Sequence, residues 1–141
     1  MPSSAFNAAE RSFFQIGTRD MSSSLACVLV VEDEALIRMS LVDELEDVGF
    51  RVLEAATADE AMGILKDNPN IEAIFTDIDM PGSIDGLKLA KLVGQSHPDM
   101  AILLTSGYLK IPKNDLPETV GFIPKPYEID VVVNHIRELT Y

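Results

Sequence analysis

Apolar and polar positions change period repeatedly from residue 25 onward. "ACVLVV" (26–31) is a short continuous apolar run, the pattern of a strand buried on both faces. Over 35–48, Ile37, Leu41, Leu45 and Val48 recur at spacings of three and four, which predicts a helix. Gly49 follows as its stop. "RVLEA" (51–55) reads as a second strand. Thr57 precedes a helix over 58–67, with Glu60 three residues later as in a capping box. "IEAIFT" (71–76) is a third strand, and 85–96 is a helix with Leu89, Leu92 and Val93 on one side. "AILLTS" (101–106) and "VGFI" (120–123) are the fourth and fifth strands. A last helix spans 127–139, with Ile129, Val132, Val133 and Ile136 inward.

Short strands alternating with helices imply an α/β fold with a parallel sheet covered on both faces. With right-handed crossovers the sheet is doubly wound, five-stranded and ordered 2-1-3-4-5. One stretch breaks the alternation. "GYLKIPKNDLPETV" (107–120) carries Pro112 and Pro117, and proline inside a helix costs ~3 kcal/mol. A shortened or broken fourth helix of one or two turns is expected there. Residues 1–24, rich in Ser and Ala without a clean period, read as a disordered N-terminal extension. Met21 is a candidate natural start. Residues 25–141 form one domain.

Composition narrows the function classes. The 141 residues are 47% hydrophobic and 24% charged, a globular balance. The net charge is −12. Arg11 and Arg19 cancel Glu10 and Asp20, so all of it falls on residues 25–141. This argues against nucleic acid, whose phosphates need Lys and Arg. The single Cys27 excludes an internal disulfide framework. No apolar run approaches the ~20 residues that span a bilayer, and the N-terminus lacks the layout of a secretory signal. These features point to a cytoplasmic protein without membrane contact.

The candidate chemistry lies where strands end. Glu32, Asp33 and Glu34 follow the first strand; Asp77 and Asp79 end the third; Thr105 and Ser106 end the fourth; Lys125 follows the fifth. In open parallel sheets, ligands bind at that edge, where the strand order reverses. Strands one and three flank that crevice, so Glu32 and Asp33 come beside Asp77. Carboxylates gathered there repel one another unless a hard cation such as Mg²⁺ is held by their oxygens. A carboxylate is also a covalent nucleophile in aspartyl-phosphate chemistry. A lysine and a hydroxyl opposite the metal would hold the remaining phosphoryl oxygens.

"VLVVEDE", "TDIDMPGSIDG", "LLTSGY" and "FIPKPY" together resemble the receiver domain of bacterial two-component response regulators, over about residues 25–141. The resemblance implies the flavodoxin-like fold of chemotaxis-type receivers and a single-domain, stand-alone regulator with no DNA-binding output domain. It implies phosphoryl transfer to Asp77 from a histidine kinase or histidine phosphotransfer protein, with Mg²⁺ or Mn²⁺. Asp33 would then bind the metal directly and Glu32 through water. Asp77 and the main-chain carbonyl of Asp79 would also bind it. Thr105 would be the switch hydroxyl and Lys125 the phosphoryl partner, with a cis bond to Pro126. Such a domain is not a turnover enzyme; its own chemistry is limited to self-phosphorylation and slow dephosphorylation. Phe122 occupies the aromatic switch position but has no hydroxyl. The resemblance leaves the downstream protein unnamed and a homodimer open.

Plainer roles exist for each residue. The acids after the first strand suit a helix N-terminus. Asp79 suits the turn before Pro81-Gly82, and Ser106 suits a cap. Phe122 and Tyr127 read as packing residues, and His97 and His135 as structural or exposed. Two other functions compete. One is a phosphorylation-independent interaction module on the same fold. The other is an Asp-nucleophile phosphohydrolase of the haloacid dehalogenase type, which "FTDIDMP" resembles. That motif should follow the first strand, and here it ends the third.

Overall fold

A computed structural model describes residues 26–80, 85–107 and 120–140. The expected N-terminal extension, the Pro81-Gly82 turn and all of the proline-broken segment except its two ends lie outside these residues. The elements run β1 (Cys27–Val31), α1 (Ala35–Asp47), β2 (Arg51–Ala55), α2 (Ala58–Asp67), β3 (Ile71–Asp77), α3 (Gly86–Ser96), β4 (Ala101–Ser106), β5 (Val120–Pro124) and α4 (Ile129–Thr140). All strand pairs are parallel, in the order β2-β1-β3-β4-β5. This is the doubly wound α/β fold that the alternation implies.

Local signals set the boundaries. Thr57 Oγ1 accepts the Glu60 N–H at 3.1 Å. The Glu60 carboxylate reaches back to the Ala56 N–H at 2.6 Å, one residue earlier than in the standard reciprocal cap. Gly49 has φ 107°, the left-handed region where a side chain is strained and a helix commonly stops. Asp85 caps α3 by accepting the Lys88 N–H at 2.8 Å. α4 starts at Ile129 rather than residue 127, because the Glu128 carbonyl is the first to accept helical N–H groups, from Val131 and Val132.

Alternation along the strands sends side chains to two cores. Leu29, Val31, Ile74, Ile102 and Leu104 pack under α2 and α3. Val28, Val30, Phe75, Leu103 and Ile123 pack under α1 and α4. The register places Val30 level with Phe75, Phe75 with Leu103, and Asp77 with Thr105 and in turn Ile123. One step of two residues therefore converts an apolar row into a polar one. Val30 leads to Glu32, Phe75 to Asp77, and Leu103 to Thr105, all on the α1/α4 face. Among the described residues no helix is long and apolar enough to cross a membrane.

Candidate functional site

The polar row lies at the carboxyl edge of β1, β3 and β4 and is deeply buried. Glu32 and Thr105 are fully buried, and Asp77 is 1% exposed. β1 delivers Glu32, whose N–H continues the ladder by donating to the Ala55 carbonyl at 3.0 Å. Its Oε2 accepts the Glu34 N–H at 2.9 Å, which bends the chain into α1. One oxygen from each of Glu32, Asp33 and Asp77 falls within 4.8 Å of the others. Hard carboxylate oxygens at that spacing, one donor exposed and two buried, fit a divalent cation such as Mg²⁺. Glu32 Oε1 is buried and has no hydrogen-bond partner, so a lone pair on it is available to a cation's hydration shell.

Asp77 is held from two sides. Its Oδ1 accepts the Asp79 N–H at 2.9 Å, and its Oδ2 receives the Lys125 ammonium in a tight ion pair. Lys125 arrives from the far strand because its N–H bonds the Ser106 carbonyl at 3.1 Å. The Lys125–Pro126 peptide is cis. Burial pulls the Lys125 ammonium down, but its bond to Asp77 and the surrounding carboxylates outweigh this and hold it above the usual lysine value. Burial pushes the Glu32 carboxyl up to about 7; the Glu34 N–H bond works against that rise and the Asp77 charge adds to it. A cation would relieve this strain by neutralising charge that the fold has removed from water.

Of the residues singled out above, Glu32, Asp33, Asp77, Thr105 and Lys125 converge on the strand edge. Thr105 Oγ1 is buried without a partner, beside Asp77 in the register. Asp79 is more than a turn residue: its Oδ2 accepts the Ser106 hydroxyl at 2.9 Å and the Gly107 N–H at 3.3 Å. Ser106, read as a cap, thus ties the end of β4 to the turn after β3. Phe122 stands apart. It is level with Leu104 and half-buried against the α2/α3 core.

Two further residues shape the site. The Arg38 guanidinium donates to the Glu32 carbonyl at 2.7 Å and to Glu54 Oε1 at 3.0 Å, linking α1 and β2 to the acidic pair. Gly86 abuts Asp77: a Cβ there would lie 2.1 Å from the Asp77 carbonyl oxygen. The sequence held one clue to the second, a glycine at a helix start where alanine would be the better helix former. Beside the acids a groove of about 820 Å³ opens, its polar wall including Asp33, Asp77 and Lys125 and its apolar wall Leu36, Tyr127 and Ile129.

Comparison with known proteins agrees with this geometry. The family model described as "Response regulator receiver domain" matches residues 28–137. The chain is 34% identical over 124 residues to the sensor kinase CckA of Brucella abortus (strain 2308), covering 85% of this chain and 13% of that protein. It is 30% identical over 115 residues to the response regulator receiver protein CpdR of the same organism, covering 79% of this chain and 94% of CpdR. It spans about a quarter (23%) of a putative NtrX-like response regulator of Rickettsia felis (strain ATCC VR-1525 / URRWXCal2), with 34% identity over 110 residues. The receiver domain of the hybrid histidine kinase CckA superposes with TM-score 0.71 at 31% identity, covering 82% of this chain and 100% of that one. TrrA of Thermotoga maritima, solved in complex with Mg²⁺-BeF, superposes with TM-score 0.72 at 27% identity, covering 82% and 99%. The chain therefore belongs to the response regulator receiver domain family of two-component systems.

Proposed function

We propose that this receiver domain is a phosphorylation switch that accepts a phosphoryl group on Asp77. The observation that carries the reading is the pairing of Lys125 with Asp77 beside the three-carboxylate cluster, with Glu32 Oε1 and Thr105 Oγ1 left unsatisfied. An Asp77 carboxylate oxygen attacks phosphorus, and an oxygen–phosphorus bond forms. The phosphorus–nitrogen bond of a phosphohistidine donor breaks, and its electron pair stays on the imidazole. Asp33, Asp77, the Asp79 carbonyl and, through water, Glu32 would hold Mg²⁺ or Mn²⁺, which supplies charge neutralisation for the incoming phosphoryl oxygens. Lys125 holds one of those oxygens. The Thr105 hydroxyl turns toward another, and the strand carrying Phe122 repacks in response.

The donor would be a histidine kinase or histidine phosphotransfer protein. Supporting this, the apolar wall of the groove lies within reach of Asp77 and includes Leu36, which is 79% exposed. Asp43, Glu44, Glu128 and Asp130 line an adjoining cleft, so a partner with an apolar strip and basic flanks is complementary. We assign the protein to the cytoplasm with that partner, and to signalling rather than to turnover of a small substrate.

Incubation with acetyl phosphate and Mg²⁺, followed by intact-mass measurement, tests the reading. One added phosphoryl group is expected in the wild type and none in Asp77→Asn or without metal. Addition that persists in Asp77→Asn would overturn the assignment. Absence of any addition from acetyl phosphate and from a phosphohistidine donor would favour an interaction module instead.

A further inference from the structure

Three buried side-chain oxygens among the described residues lack a hydrogen-bond partner: Glu32 Oε1, Thr105 Oγ1 and the Tyr127 hydroxyl. The first two have roles in the proposed switch. The third has none, although folded proteins leave few such groups and a buried tyrosine hydroxyl usually finds an acceptor.

Its surroundings indicate which acceptor. The Tyr127 ring stands edge-on to Phe75, with centroids 5.8 Å apart and planes at 89°. Phe75 is level with Val30. Two residues further along each strand come Asp77 and Glu32, on the same face. Tyr127 also lines the groove that Asp33, Asp77 and Lys125 line. The phenol is pushed up by burial first and then by the charges of Glu32, Asp77 and Glu34, so it remains protonated and acts as a donor. Asp77 already has partners on both oxygens, and Glu32 has one on Oε2 only. A donor without an acceptor and an acceptor without a donor therefore share one buried corner.

We propose that Tyr127 is a positioning residue whose hydroxyl donates to Glu32 Oε1 through one buried water, and so orients that carboxylate for a divalent cation. Only the cation part rests on the function proposed above. A bridging water is reasonable in such a corner because the site is polar and both partners are fixed.

The test is a double-mutant cycle of Tyr127→Phe and Glu32→Met. It is read as the thermal midpoint of the metal-free protein at pH 8 and, separately, as Mg²⁺ affinity by calorimetry. Tyr127→Phe removes one oxygen and keeps the ring. We expect it to lower the midpoint in the wild-type background, to leave it unchanged or raised when Glu32 is Met, and to weaken Mg²⁺ binding about 10-fold, as loss of a partner behind a metal ligand does. A truly unpartnered hydroxyl gives the opposite sign, since removing an unsatisfied buried polar group is neutral or stabilising. An unchanged or raised midpoint with unchanged Mg²⁺ affinity would overturn the proposal. So would a drop of equal size in both backgrounds. If Glu32→Met does not fold, the sign of the Tyr127→Phe midpoint change and the Mg²⁺ titration decide the matter. Failure of the wild type to bind Mg²⁺ would count against the switch reading, while the metal-free cycle would still decide Tyr127.

Discussion

The two faces of this sheet receive the same kind of strand and end differently. Along β3 and β4, Ile74 and Leu104 on the α2/α3 face lead to Thr76 and Ser106, whose hydroxyls are satisfied by the Asp77 carbonyl and by Asp79. On the α1/α4 face, Val30, Phe75 and Leu103 lead to Glu32, Asp77 and Thr105, and two of these carry an unpartnered buried oxygen. One face is closed and contributes stability. The other keeps unmet hydrogen-bonding capacity and crowded charge, at a cost in stability, and that is where chemistry can be done.

Substitutions should separate the two faces. The largest loss is expected on the closed one. Leu104 is fully buried, and Leu104→Ala should destabilise by about 2–5 kcal/mol in chemical denaturation. A loss below ~1 kcal/mol would mean that this face is not the better packed of the two.

On the open face the sign depends on pH. The folded Glu32 carboxyl titrates at about 7, above its ordinary 4.5. Between those values the folded protein holds a proton that the unfolded chain has released. Metal-free stability from this group is therefore complete below pH 4.5 and falls as pH rises to 7, by about 3 kcal/mol. Glu32→Gln should flatten that decline. Denaturation curves at pH 4.5 and 7.5 for both proteins provide the comparison, and equal slopes would remove the case for a strained carboxylate.

A smaller effect is expected at the seam between the faces. Gly86→Ala sets a Cβ against the Asp77 carbonyl, so α3 or the end of β3 must shift. A loss of about 1–3 kcal/mol is expected, together with slower phosphorylation by acetyl phosphate. Normal phosphorylation kinetics at reduced stability would show that the shift is taken up by the helix alone.

The smallest effect on stability is expected at Thr105. Its hydroxyl has no partner, so Thr105→Ala should change the metal-free midpoint little or raise it, within about 1 kcal/mol. The same change should weaken the response to phosphorylation, read as loss of the phosphorylation-dependent chemical-shift changes around Phe122. A large destabilisation would identify Thr105 as structural.

Much of this protein is written locally. Apolar runs and spacings of three and four placed every described strand and helix to within about two residues, because a period of two or 3.6 is a property of neighbours in sequence. The strand edge that carries the candidate site was also legible, since acids and turn formers closing an apolar run mark the end of a buried strand. What required the tertiary structure was the pairing of groups distant in sequence. Lys125 meets Asp77 across 48 positions, Ser106 meets Asp79 across 27, and Arg38 meets Glu54 across 16. Nothing local shows that Gly86 touches the Asp77 carbonyl or that the Tyr127 hydroxyl is buried beside carboxylates. Those facts follow from strand register and from how far a side chain reaches across a neighbouring strand. Register and reach become definite only when the whole sheet has assembled.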